Sequence, residues 1–134
     1  MGYSTAQYGI RGKLVRSREV TNSDSGETVA VIDIPAYTII PPQGVFVVVT
    51  DAFSGVTPTL DVGDGSDTDG WCVNDAITST STGTYADVDA AYNVAGKYYS
   101  SADTLDVVVT DCASASGAAY VFAELYDVSD IVDD

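Results

Sequence analysis

The chain has 134 residues, enough for one domain with a proper core and too few for two ordinary ones. Its hydrophobic fraction of 46% excludes a disordered chain, and the absence of histidine excludes Ser-His-Asp and Cys-His catalysis. Twenty acids against five bases give a net charge of −15, which repels nucleic acid and anionic membrane.

The charge is laid out unevenly along the chain. Arg11, Lys13, Arg16 and Arg18 all precede the first acid, Glu19. After them Lys97 is the one base among all the acids. The pattern divides the chain into a basic N-terminal arm or edge strand, residues 1–20, and an acidic β-domain, residues 21–134. The same asymmetry points to distinct partners for the two parts. No apolar signal core opens the sequence, which predicts a soluble protein made in a cytoplasm without export. An acidic body also suits a salty medium, where repulsion is screened.

Residues 13–20 read as a mostly polar strand suited to an edge or a contact surface. A polar turn follows at 21–26, then a strand at 29–34. Pro35 and Pro41-Pro42 bracket residues 37–40, which predicts an edge or corner segment because proline cannot donate to a ladder. Residues 45–50 are nearly all apolar and predict a central strand buried on both faces. Residues 59–62 alternate, with Leu60 and Val62 inward and Asp61 outward. Trp71, after an acidic turn at 63–70, is expected to plug one end of the core. The Ser/Thr-rich stretch 77–84 predicts an exposed strand or loop, and Ala90 and Ala91 one short helical turn. Strands are expected at 97–100, 104–110 and 119–126, with a fraying acidic tail from Asp127. Thr-Leu-Asp-Val occurs at both 59–62 and 104–107, as in two similar strands of one sheet system. Seven or eight short strands without a long helix predict an all-β antiparallel sandwich of jelly-roll type.

Candidate chemistry is sparse. No nucleophile elbow, phosphate loop or dinucleotide fingerprint occurs, and we expect no catalysis and no cofactor. Asp64, Asp67 and Asp69 could offer oxygen ligands to a hard cation, but the acid that closes an EF-hand loop is missing, and Asp with Gly is what a tight turn uses. We therefore expect a turn and no metal. Cys72 and Cys112 form no metal or CxxC motif; half-buried reduced thiols are expected, with a disulfide as the alternative. Tyr85, Tyr92, Tyr98 and Tyr99 cluster in sequence, some to pack inside and some to face a partner. Arg11, Lys13, Arg16, Arg18, Tyr98 and Tyr99 are the candidate partner-binding residues.

Three stretches in order carry a resemblance. They are Ile34-Pro35-Ala36-Tyr37-Thr38-Ile39-Ile40; Val48-Val49-Thr50-Asp51-Ala52-Phe53 with Gly55; and Pro58-Thr59-Leu60-Asp61-Val62-Gly63-Asp64 with Asp69-Gly70. Thr82-Gly83-Thr84-Tyr85, Gly96-Lys97-Tyr98-Tyr99 and Ala102-Asp103-Thr104-Leu105 continue it. Over residues 34–126 the chain resembles short structural proteins of tailed bacteriophages. That resemblance implies a β-sandwich virion component without catalysis, and our leading expectation is a capsid decoration, or cement, protein. Its expected partners are the major capsid protein and copies of itself in a homotrimer, with no nucleic acid and no membrane. A head-fibre, tail or tail-fibre adaptor component is the alternative. A carbohydrate- or cell-surface-binding module is a further one, which an exposed Trp71 with neighbouring tyrosines would favour and a buried Trp71 would count against.

Overall fold

The computed structural model describes residues 10–131. Residues 1–9 of the N-terminal arm and the last three residues of the acidic tail lie outside the described residues, as does the side chain of Arg11. Ten β-segments run in chain order: β1 (Arg11–Arg16), β2 (Val20–Thr21), β3 (Thr28–Ile34), β4 (Thr38–Ile40), β5 (Val45–Asp51), β6 (Thr59–Gly63), β7 (Gly83–Tyr85), β8 (Lys97–Tyr99), β9 (Asp103–Thr110) and β10 (Ala118–Asp127). One helix, α1 (Ala91–Ala95), and two 3-10 turns complete the regular structure. Among the described residues no helix is long and apolar enough to cross a membrane.

The segments form two antiparallel sheets packed as a sandwich. The smaller sheet has the order β3-β9-β6, and the larger is built around β10. Register shows how simple the larger sheet is. Ala123 pairs with Val15 on one side and Val45 on the other, and Tyr126 pairs with Gly12 and Ile39. Hence β1 and β2 lie end to end along one side of β10, and β4 and β5 end to end along the other. Beyond them β8 pairs with β4 and β7 with β5. Four strand positions face three, which matches the seven or eight strands expected from sequence.

The core follows from alternation. Val45, Val47, Val49, Ala119, Val121 and Ala123 point in from the large sheet, and Leu60, Val62, Leu105, Val107 and Val109 from the small one. The two Thr-Leu-Asp-Val copies start β6 and run into β9, and these strands are antiparallel neighbours with Val62 opposite Val107. Trp71 is fully buried, as expected of a plug. Cys72 and Cys112 are unpaired thiols, and both are wholly buried where half-burial was expected.

Three expectations need correction. The strand expected over 13–20 breaks at Ser17 into β1 and β2. Residues 38–40 are no edge, since β4 is paired on both sides; Pro35 and Pro41 fall just outside the paired residues, so the ladder loses no donor. Finally, β5 is fully buried on one face only, for Phe46 and Val48 are half-buried on the other. Within 77–84 only the end is strand, and buried Ile77 and Ser79 pin the rest, with Ser79 Oγ donating to the Pro58 carbonyl at 2.6 Å.

Candidate functional site: a basic edge beside an aromatic sheet face

Side chains on β10 alternate, so one set fills the core and the other faces out. The outer set is Tyr120, Phe122, Glu124 and Tyr126, and all four are half-buried. Pairing extends this face across the sheet. Phe46 and Val48 of β5 lie opposite Phe122 and Tyr120, Ile39 of β4 opposite Tyr126, and Tyr98 of β8 opposite Ile39. On the other side Leu14 of β1 lies opposite Glu124, and Arg16 opposite Phe122. The rings of Phe46 and Phe122 stack at 5.1 Å with 2° between planes. Gly12 is needed beside them, because a Cβ there would run into the Tyr126 ring that lies across it.

Nothing in the described chain covers this face. Leu14 is 57% exposed and Tyr98 45%. The outer face of the small sheet is its opposite in chemistry. Thr28, Ala30 and Asp33 of β3, Thr104, Asp106 and Val108 of β9, and Asp61 of β6 make it polar and acidic. A soluble protein rarely exposes a contiguous apolar patch of several hundred Å² without a partner for it.

The basic residues border the aromatic face. Arg16 lies over the Tyr120 ring at 4.8 Å. Lys13 alternates to the other side of β1 and lines a groove of about 910 Å³ between the β1 and β3 edges, with Val15, Ile32, Leu125 and Asp127. Among the described residues the ion pairs are Arg18–Asp24 at 3.1 Å and Lys97–Asp64 at 2.6 Å. Among those residues Lys13 and Arg16 thus have no carboxylate partner, in a molecule rich in acids. Arg18 is occupied, and its hydrogen bond holds the Asp24 carboxyl below the usual range.

Of the residues singled out from sequence, Arg16 and Tyr98 share the outer face, Lys13 faces the groove, and Arg18 sits in the bulge after β1. The backbone of Arg11 pairs with Asp127. Tyr99 is misplaced by the sequence reading. It is 4% exposed, because β8 alternates and Tyr98 takes the outward position. Its hydroxyl donates to Asp64 Oδ2 at 2.7 Å and accepts from Trp71 Nε1 at 3.0 Å. Tyr99 therefore belongs to a buried brace. Asp64 also accepts from Lys97 and from the amides of Ser66 and Asp67, while Lys97 lies over the Tyr92 ring at 4.2 Å. Burial raises the Asp64 carboxyl, but these donors outweigh it and hold the group below its ordinary value. The acidic turn thus closes on its own amides and Lys97; among the described residues no His, Cys, Asp or Glu cluster could hold a metal ion. Burial of Trp71 removes the stacking ring that would favour the carbohydrate-binding alternative and counts against it.

The sequence reading missed Phe46, Phe122, Tyr120 and Tyr126 as surface residues. The available signal was strict alternation in β10, which assigns these rings to the side opposite Ala119, Val121 and Ala123.

Two solved structures share this architecture. A chain of the "Cyanophage Pam1 capsid asymmetric unit" matches with a TM-score of 0.64 at 17% identity, over 95% of this chain and 92% of that one. A chain of the "Capsid of Ralstonia phage GP4" matches with a TM-score of 0.54 at 12% identity, over 96% of this chain and 90% of that one. This fold occurs in bacteriophage capsids. At such identities the likeness is one of fold, and it spans nearly the whole of each chain. No protein-family model and no curated protein matches the sequence.

Proposed function

We propose that this chain is a structural protein of a bacteriophage particle, and within it a decoration protein of the head shell. The observation that carries the reading is the aromatic face with Arg16 over it and Lys13 on the groove side of the same strand, neither with a carboxylate partner among the described residues, in a sandwich whose fold is found in phage capsids. A surface of this kind serves binding. Among the described residues β1 is paired on one side only, which leaves its other side for an added strand. Arg11 and Lys13 meet acidic groups on the shell, and Arg18 steadies the bulge through Asp24. Apolar and tyrosine surfaces bury between neighbours, and many modest contacts add up through multivalency. The homotrimer expected from sequence requires a heterologous contact, which basic edge against acidic body supplies.

The test uses heads that lack the protein. Wild-type chain should bind them in a fixed copy number, and electron microscopy of labelled particles should place it on the head. The variant R11E/K13E should fail to bind while its far-UV circular dichroism stays unchanged. Lys13 is preferred to Arg18 because R18E would disturb the Asp24 capping contact. Normal binding by the double variant would end the docking assignment, and a location on the tail would end the decoration assignment.

A further inference from the structure

We infer that the outer face of the large sheet is a two-fold contact between copies of this chain, with Arg16 of each copy set against Glu124 of the other. Two observations favour a second copy as the occupant. The first is charge. The molecule carries −15, yet this face has a cation, Arg16, beside Glu124, with Glu19 at its border accepting from the Tyr120 hydroxyl at 3.1 Å. Two such molecules repel least where a cation offsets the acids around it.

The second is complementarity. Arg16 lies opposite Phe122 and Glu124 opposite Leu14, so the two are diagonal neighbours on adjacent strands. They nonetheless form no ion pair. Arg16 turns onto the Tyr120 ring, while Glu124 turns the other way and accepts from the Tyr126 hydroxyl at 3.1 Å. A two-fold axis lying in the plane of the face, between them and across their line, places each charge over its opposite on the partner. The same operation lays Phe46, Phe122 and Leu14 on their counterparts, as two sheets pack face to face. The contact is isologous and pairs copies. A trimer needs a separate contact elsewhere on the molecule.

Area sets the strength of the contact. Four strand positions over the seven residues from Tyr120 to Tyr126 span about 450 Å² per copy at ordinary strand spacing and rise. That falls short of the roughly 1,200 Å² total of a stable interface. The contact is therefore weak in solution and gains strength where copies are held close together.

Sedimentation equilibrium of the full chain at about 0.15 M salt tests this, since the Debye length there is about 8 Å. Wild type should pair reversibly at high-micromolar concentration. R16E and E124R should each pair at least about tenfold more weakly. An equimolar mixture of the two should recover wild-type affinity to within about twofold, because each variant then meets an opposite charge on the other. Net charge alone predicts otherwise, since E124R lowers the charge to −13 and should pair better than wild type. A wild type that stays monomeric, singles that pair normally, or a mixture no better than the singles would each overturn the contact.

Discussion

Asp64 shows how much one buried acid can organise. Its side chain is fully enclosed and receives four donors from two parts of the chain: Lys97 and Tyr99 of β8, and the amides of Ser66 and Asp67 in its own turn. Its carboxyl is held below the ordinary value of 3.8, and Lys97 is held above 10.5. The sign follows from linkage. A lowered acid contributes stability that is present above 3.8 and is lost as pH falls through its folded value. A raised base contributes stability that is present below 10.5 and is lost as pH rises through its folded value. Asp64→Asn should therefore be most costly at neutral pH, by about 3 kcal/mol as expected for a broken buried pair. The deficit should shrink in acid below about pH 3.8. Urea melts of both proteins from about pH 2 to 8 measure it, and a deficit that does not vary with pH would remove Asp64 from this role. Cys72 belongs to the same region. Burial pushes its thiol up to about 12, so it is inert as a nucleophile in the folded chain.

At the scale of the element, β1 and β5 teach most. The ladder between β1 and β10 continues past Arg16 through a side chain. Ser17 donates its amide to the Val121 carbonyl at 2.8 Å, and its hydroxyl accepts the Val121 amide at 2.8 Å. The hydroxyl thereby stands in for a strand carbonyl while the backbone bulges towards β2. Ser17→Ala leaves the buried Val121 amide without an acceptor. We expect a loss of about 1–3 kcal/mol, together with faster amide exchange at Val121. Unchanged exchange there would show that the bulge closes by other means. The apolar run of β5 is legible as a strand, yet it reads as buried on both sides. Local sequence reports that both faces are apolar. Whether the second face is covered by the chain or by another molecule depends on what lies above the sheet.

For the whole molecule, charge is the dominant long-range term. Twenty acids share one small domain with five bases, and the described ion pairs number two. Self-repulsion of this kind destabilises the compact state and is screened by salt. Raising sodium chloride from about 0.02 to about 0.5 M should lift the melting temperature by several degrees, roughly 1 kcal/mol or more for a domain of this size. A melting temperature that is flat or falls with salt would show that the acids are placed without net strain.

Alternation of side chains is a local property, and by itself it determines most of the strand set, the inward valines of β5, β6 and β9, and the all-β class. Composition likewise determines the acidic body and the basic start of the chain. Tertiary structure decided which of two adjacent tyrosines is buried, because β8 presents Tyr98 outward only once it pairs with β4. It also decided that Arg18 has a carboxylate partner while, among the described residues, Lys13 and Arg16 have none, since Asp24 approaches across a turn. The aromatic face itself comes from four strand positions brought side by side by pairings that reach more than a hundred residues apart. Periodicity along one strand says which side chains share a side, but which strands are neighbours is set by long-range pairing, and the surface they build together exists only then.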